Sequence, residues 1–352
     1  MCAKDRRRRI ERGLIAGPEA RASAVSDHLL QDRMELYAVP GMSVALIDRG
    51  RVDWVGSYGV KRADGCDPVT TDTLFQCCSV SKLVAALVAL RLVDLGILSL
   101  DSDVNKRLHT WKVRDLEGSD CPVSLRQLLS HTAGLNVHGA PGYARGSAIP
   151  TLLEVLQGEP PAITAPVRKT SEAGRTWRYS AGGYCVLQLL VETVTGMEFG
   201  QAARELVLEP LNMTCSTFAQ PLPENRWEDA AAAHTTLERA PTHGQWFAYP
   251  EQAVGGLWTT ATDLAQAVIE IQQAVQGNGN LLSRDIAKAM LTVHTDNWNS
   301  GLGAYVSNAG EPYFSHTGAH LGWHCVLMGY VDLGKGAVVL TNNGYTGAEL
   351  WL

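Results

Sequence analysis

The stretch that most constrains the fold is Ser79-Val80-Ser81-Lys82 followed by Leu83 to Leu90, eight residues without a polar side chain. A helix apolar on every side has no surface to offer water, so it must run through the middle of the protein. That places a serine and a lysine, three residues apart, in the first turn of a central helix. Residues i and i+3 share a helix face, so the ammonium can reach the hydroxyl. Free N–H groups and positive potential at a helix start favour a developing oxyanion and disfavour the lysine's charge. Burial drives the lysine the same way, towards a neutral amine able to take a proton. A weak nucleophile beside a base is the pattern of covalent catalysis. Lys82 is the only lysine with serine three positions before it. Left unpaired at the mouth of an apolar helix, it would be costly to bury.

The surroundings narrow the class. With 352 residues, 45% hydrophobic and 19% charged, the chain can bury a large core or two lobes. A net charge of -6 gives no footprint for nucleic acid, and Arg6–Arg9 reads as a solvated tail. No window reaches the apolar length of a membrane span, and Met1 to Gly13 contains no apolar run of signal-peptide length. The expectation is a cytoplasmic protein with neither membrane nor nucleic-acid partner. The eight cysteines show no Cys-x-x-Cys pair and read as buried free thiols, with a vicinal Cys77–Cys78 disulfide the less favoured alternative.

Along the chain, periodicity predicts a helix over 18–36 and strands at 42–47 and 52–58, joined by a turn at Asp48-Arg49-Gly50. The central helix should stop at Gly96. Further helices are expected at 123–129 with a serine cap, 182–195, 199–211, and from a Thr260 cap to about Val275. Residues 136–176 read as a long loop bordering a cleft, and 220–250 as polar and irregular. Strands return at 303–307, 313–317, 324–331 and 337–341, with a hairpin at 332–336 and a helix beginning near Gly347. Strands at both ends with helices between predict an α/β (α+β) fold: a central antiparallel sheet from both termini, flanked by helices, with an inserted, mainly helical lobe. The expected division is 1–76 with 245–352 for the sheet lobe and 77–244 for the helical lobe, the active site lying between them.

Three elements in this order resemble the serine β-lactamase and penicillin-binding-protein superfamily, in its class C β-lactamase, DD-peptidase and esterase-like branch. Ser79-Val80-Ser81-Lys82 is similar to its Ser-x-x-Lys element, Tyr179-Ser180-Ala181 to Tyr-x-Asn, and His316-Thr317-Gly318 to Lys-Thr-Gly in a histidine variant. Leu128 to Leu135 and Gly255 to Thr260 resemble secondary phrases, and the similarity runs from about residue 25 onward. The resemblance implies a β-lactamase-like fold. It implies Ser79 as acylated nucleophile, Lys82 and Tyr179 sharing the proton work, and His316 facing the cleft to donate to Tyr179 or a substrate carboxylate. It further implies an oxyanion hole from the backbone N–H groups of Ser79 and Ala319, and substrate contacts at Thr317, Gly318 and position 181. Ala181 departs from the pattern: alanine cannot make the amide contacts of the family's asparagine, which argues against an efficient β-lactamase.

His316, His320 and His324 repeat every four residues. On one strand the outer two would lie about 25 Å apart, so no metal is expected, and no cofactor motif is present. Ser130 and His131 read as structural. The absence of a Gly-x-Ser-x-Gly elbow disfavours an α/β-hydrolase triad. The sequence therefore predicts a serine enzyme that forms an acyl-Ser79 intermediate and hydrolyses a small-molecule ester or amide. The alternatives are an acyltransferase moving that acyl group to an amine or alcohol and, more remotely, a non-catalytic penicillin-binding-like protein.

Overall fold

One hairpin from the early part of the chain and four consecutive antiparallel strands from its later part build the main sheet. The computed structural model describes residues 7–8, 11–12, 29–235, 240–241 and 245–344. After a short helix α1 (Leu30–Leu36) come β1 (Gly41–Asp48) and β2 (Arg51–Gly59). The turn between them holds Arg49 at φ 54 and Gly50 at φ 68, the paired left-handed residues that match the twist of a two-residue hairpin. From the other end come β3 (Tyr305–Ser307), β4 (Tyr313–His320), β5 (Trp323–Tyr330) and β6 (Lys335–Thr341). The sheet order is β2-β1-β6-β5-β4-β3, with every neighbouring pair antiparallel. The join between the ends is β1 on β6, from Met42↔Thr341 to Ile47↔Gly336. This is the mixed α/β fold with a two-ended antiparallel sheet that the residues predict.

Helix α2 (Ser81–Asp94) buries every residue from Ser81 to Leu90. Leu83, Leu87 and Leu90 are fully enclosed, so truncating any one to alanine would cost about 2–5 kcal/mol. Leu95 ends the helix and Gly96, at φ 72, turns the chain out of it. Around it pack α3 (Leu125–Leu129), started by a Ser124–Gln127 capping box, and α4 (Ala181–Thr195), whose Ser180 side chain accepts from Gly183 N. Helix α5 (Ala261–Val275), capped by Thr260, lies across β1, β2, β5 and β6. No helix among the described residues is long and apolar enough to cross a membrane.

Several expectations need correction. Ser79 precedes the regular helix, in a single tight turn spanning Cys78–Val80, and α2 begins at Ser81. The 136–176 segment contains a helix, Leu152–Gln157, held by a Thr151–Glu154 capping box and ended by Gly158 at φ 68. The 220–250 segment is less polar than its loop composition suggests: Ala231, Ala233 and Trp246 are core residues without a regular period. The amphipathic stretch after Phe199 is regular only to Ala203, then widens into a π-type turn at Arg204–Leu208. Of the seven cysteines described, all are free, but Cys66 is exposed and Cys121 and Cys215 are half-buried. The helix expected near Gly347 and most of the one expected from residue 18 lie outside the described residues.

Candidate active site

The turn that carries Ser79 is formed where α2 meets β4. Cys78 adopts φ 49, a left-handed conformation that a non-glycine residue rarely takes, and it aims the following Ser79 out of the helix start. Ser79 is half-exposed, whereas Lys82 beneath it is 1% exposed. Lys82 Nζ lies 3.2 Å from Ser79 Oγ and donates to the Val254 carbonyl at 2.9 Å. It also sits over the faces of Tyr179 and Tyr184, 5.0 and 5.7 Å from the ring centroids. Burial pushes its amine down to about 7. The neutral amine has a lone pair free for the serine proton while one N–H remains on Val254 O.

Tyr179 O–H donates to Ser79 Oγ at 2.7 Å. Its phenol is pushed up to about 12 by burial, so it stands protonated at neutral pH. The ring is braced by His131, 4.5 Å away, whose Nδ1 accepts from Ser180 N at 3.2 Å. His131 is buried and held well below its usual range, first by burial and then by the charge of Lys82, so it is a neutral support. Ala181 is 1% exposed at the start of α4 and presents no polar group to the cleft.

His316 differs from expectation. Its Nδ1 lies 2.8 Å from the carbonyl of Thr317, which can only accept, so the ring proton is on Nδ1. Burial, with the charge of Lys82 second, pushes the ring down to about 3, so it is neutral. In this state its Nε2 is an acceptor, not the donor expected towards Tyr179 or a substrate carboxylate. Tyr305 stacks on this ring, 5.1 Å between centroids and 20° from parallel.

Thr317 and Ala319 are exposed on β4, while Gly318 faces inward. A Cβ at Gly318 would sit 2.3 Å from the Cys77 carbonyl and 2.6 Å from Cys325 Sγ, so only glycine lets the strand lie against the turn that carries Ser79. Gly318→Ala is expected to displace β4 and lower kcat/KM for an aryl ester by about 100-fold, the scale of a 1 Å misplacement. Steady-state assays beside a far-UV spectrum check this; a folded variant with full activity would refute it.

The chain reverses at Leu321-Gly322, pairing Ala319 with His324, so the three periodic histidines occupy two strands rather than one. Among the described residues no group of three His, Cys, Asp or Glu side chains could hold a metal. Sequence reasoning missed the Val254 carbonyl, the Tyr305 stack and Trp177, whose ring lies 6.1 Å from that of Tyr179.

The fold brings the Ser79, Lys82 and Tyr179 side chains together at one candidate site. The family model described as "Beta-lactamase" matches residues 27–350. The chain belongs to the beta-lactamase family and is a serine hydrolase or acyltransferase. Esterase EstB of Burkholderia gladioli is 28% identical, across 93% of this chain and 91% of its own length. Penicillin-binding protein 4 of Amycolatopsis lactamdurans is also 28% identical, across 88% of this chain and 82% of its own. The solved structure described as "EstCE1, a hydrolase with promiscuous acyltransferase activity" shares the fold. It has a TM-score of 0.73 and 22% identity, over 90% of this chain and 92% of that one.

Proposed function

We propose that the protein hydrolyses a small-molecule ester or amide through an acyl-Ser79 intermediate. The observation that carries this reading is Ser79 Oγ held between Lys82 Nζ and Tyr179 Oη. Lys82, poised near 7, takes the serine proton as Oγ attacks the carbonyl carbon. Tyr179, whose phenol is too weak an acid to stand as phenolate at neutral pH, hands its proton to the leaving oxygen or nitrogen and regains one from Lys82. The oxyanion formed meanwhile lies on the N–H groups of Ser79 and Ala319. Water then repeats the cycle on the ester, releasing the acid and restoring Ser79–OH. Thr317 and Gly318 form the wall along which substrate lies.

The buried Ala181 supports a non-β-lactam substrate, and the name and full-length similarity of the Burkholderia esterase support an ester. The reading includes a cytoplasmic setting, supported by the free thiols of all seven described cysteines. Intact mass after treatment with a fluorophosphonate tests the central claim. One adduct per chain is expected, lost in Ser79→Ala. No adduct, or equal labelling of that variant, would favour a non-catalytic binding protein.

A further inference from the structure

At the edge of the main sheet, β3 and β4 set Ser307 opposite Tyr313 and Tyr305 opposite Ser315. Together with the loop at 295–299 these four residues line a groove of about 520 Å³, large enough for a small ligand. The loop contributes Trp298, which is 52% exposed. One face of its indole is covered by Trp177, 5.1 Å away between centroids and 19° from parallel, so the exposure is that of the other face. Tyr305 meets the same indole edge-on at 6.4 Å.

The exposed ring is nevertheless held still. Asn297 Oδ1 accepts from Trp177 N at 2.6 Å, and its Nδ2 donates to Trp177 O at 3.3 Å. Thr295 Oγ1 donates to the Trp298 carbonyl, and Val306 N donates to Asn299 O at 2.8 Å. A pre-ordered aromatic plate loses little entropy when a ligand settles on it.

The rim of the groove decides which ligand fits. Asp296 is the one acid among the lining residues, and Arg175 Nε already donates to its Oδ1 at 2.6 Å, so no cation is called for. The lining holds no lysine, arginine or histidine, which leaves an anion nothing to pair with. The side chains of Asn299, Ser307, Tyr313 and Ser315 make no hydrogen bond among the described residues, so their amide and hydroxyl groups are open to a ligand. A flat hydrocarbon ring would strip those groups of water and pair none of them. An open indole face edged by uncharged donors and acceptors instead matches a molecule with an apolar C–H face and a hydroxylated edge.

We propose that this groove is a saccharide-binding site for a β-linked pyranose whose hydroxyls are equatorial. The axial C–H bonds of one ring face lie on Trp298, and the equatorial hydroxyls reach Asn299, Tyr313 and Ser315. The site goes beyond the acyl-Ser79 reading and involves no turnover at Ser79, so it stands or falls separately from that chemistry.

The test titrates cellobiose into the full chain, with no ester present, and follows it by saturation-transfer NMR. Two competitors separate the features of the sugar: p-cresol is flat with a single hydroxyl, and sorbitol is hydroxylated without a rigid apolar face. Saturation should concentrate on the protons of one ring face, and neither competitor should displace the sugar. Trp298→Ala should weaken binding by about 10-fold, the upper range of one aromatic contact. Asn299→Ala and Ser315→Ala leave the plate in place and should each weaken it by about 2- to 10-fold, the range of one hydrogen bond. No saturation of cellobiose, or its displacement by an equal concentration of p-cresol, overturns the proposal. Unchanged affinity in a folded Trp298→Ala does the same. Should that variant not fold, unchanged affinity in both Asn299→Ala and Ser315→Ala overturns it.

Discussion

Lys82→Met is expected to lower acylation by about 1,000-fold, within the usual range for a general base, while making the protein harder to unfold at neutral pH. The two effects have one cause. Lys82 is enclosed with only a hydroxyl, a carbonyl and two ring faces about its Nζ, and among the described residues it forms no ion pair. Burial without an anion pushes it from its ordinary 10.5 down to about 7. An unfolded chain still binds that proton between pH 7 and 10.5, so this residue's contribution to stability rises with pH across that window. The full difference is about 5 kcal/mol, each pKa unit being 1.36 kcal/mol. Methionine fills a similar volume without the penalty, and replacement of buried charges by apolar groups commonly gains about 1–4 kcal/mol. Activity follows the same proton: native kcat/KM should rise as pH increases through about 7 and then level off. Burst kinetics with an aryl ester and urea unfolding of both proteins would measure the pair of effects. Retained acylation removes Lys82 as base; unchanged or lower stability removes the claim that its burial is costly.

Such a trade is visible in the sequence because one lysine stands beside an otherwise uninterrupted apolar run. Long periodic segments are equally legible: α2, α4, α5 and the five long strands each carry enough apolar residues to define a period. The hairpin at Arg49-Gly50 is legible through its turn chemistry. What was hidden depends on backbone groups or distant neighbours. The proton position on His316 is decided by the Thr317 carbonyl, and the lysine's second contact is the carbonyl of Val254, reached across 172 residues. Neither leaves a side-chain signature. The helix at Leu152–Gln157 did leave one, Thr151-x-x-Glu154, but the prolines and glycines around it outweighed a six-residue period. Trp298 draws its meaning only from Trp177 and Tyr305, which three separate segments bring together.

Glu251→Gln is the second large effect, seen in the pH dependence of stability rather than in chemistry. Glu251 is 1% exposed and, among the described residues, neither carboxyl oxygen has a hydrogen-bond partner. Burial pushes it from an ordinary 4.5 up to about 7. The folded protein thus keeps a proton between pH 4.5 and 7 that the unfolded chain has already released. Stability from this residue is present below pH 4.5 and is lost as pH rises to about 7, in total about 3 kcal/mol. This slope is opposite in sign to that of Lys82 and occupies the window below it. Glutamine keeps the size and cannot ionise. The variant should match the native protein near pH 4.5, exceed it progressively to pH 7, and hold a constant margin above. Urea midpoints at half-unit steps from pH 4.5 to 9 would show it, and parallel curves for the two proteins would sink the assignment. The residue is also linked to the base through its backbone. The backbone carbonyl of Glu251 accepts from Val254 N at 2.9 Å, and Val254 in turn receives Lys82 Nζ. That bond is made by backbone atoms, which Glu251→Gln leaves in place, so native and variant kcat/KM should both rise through about pH 7 and level off.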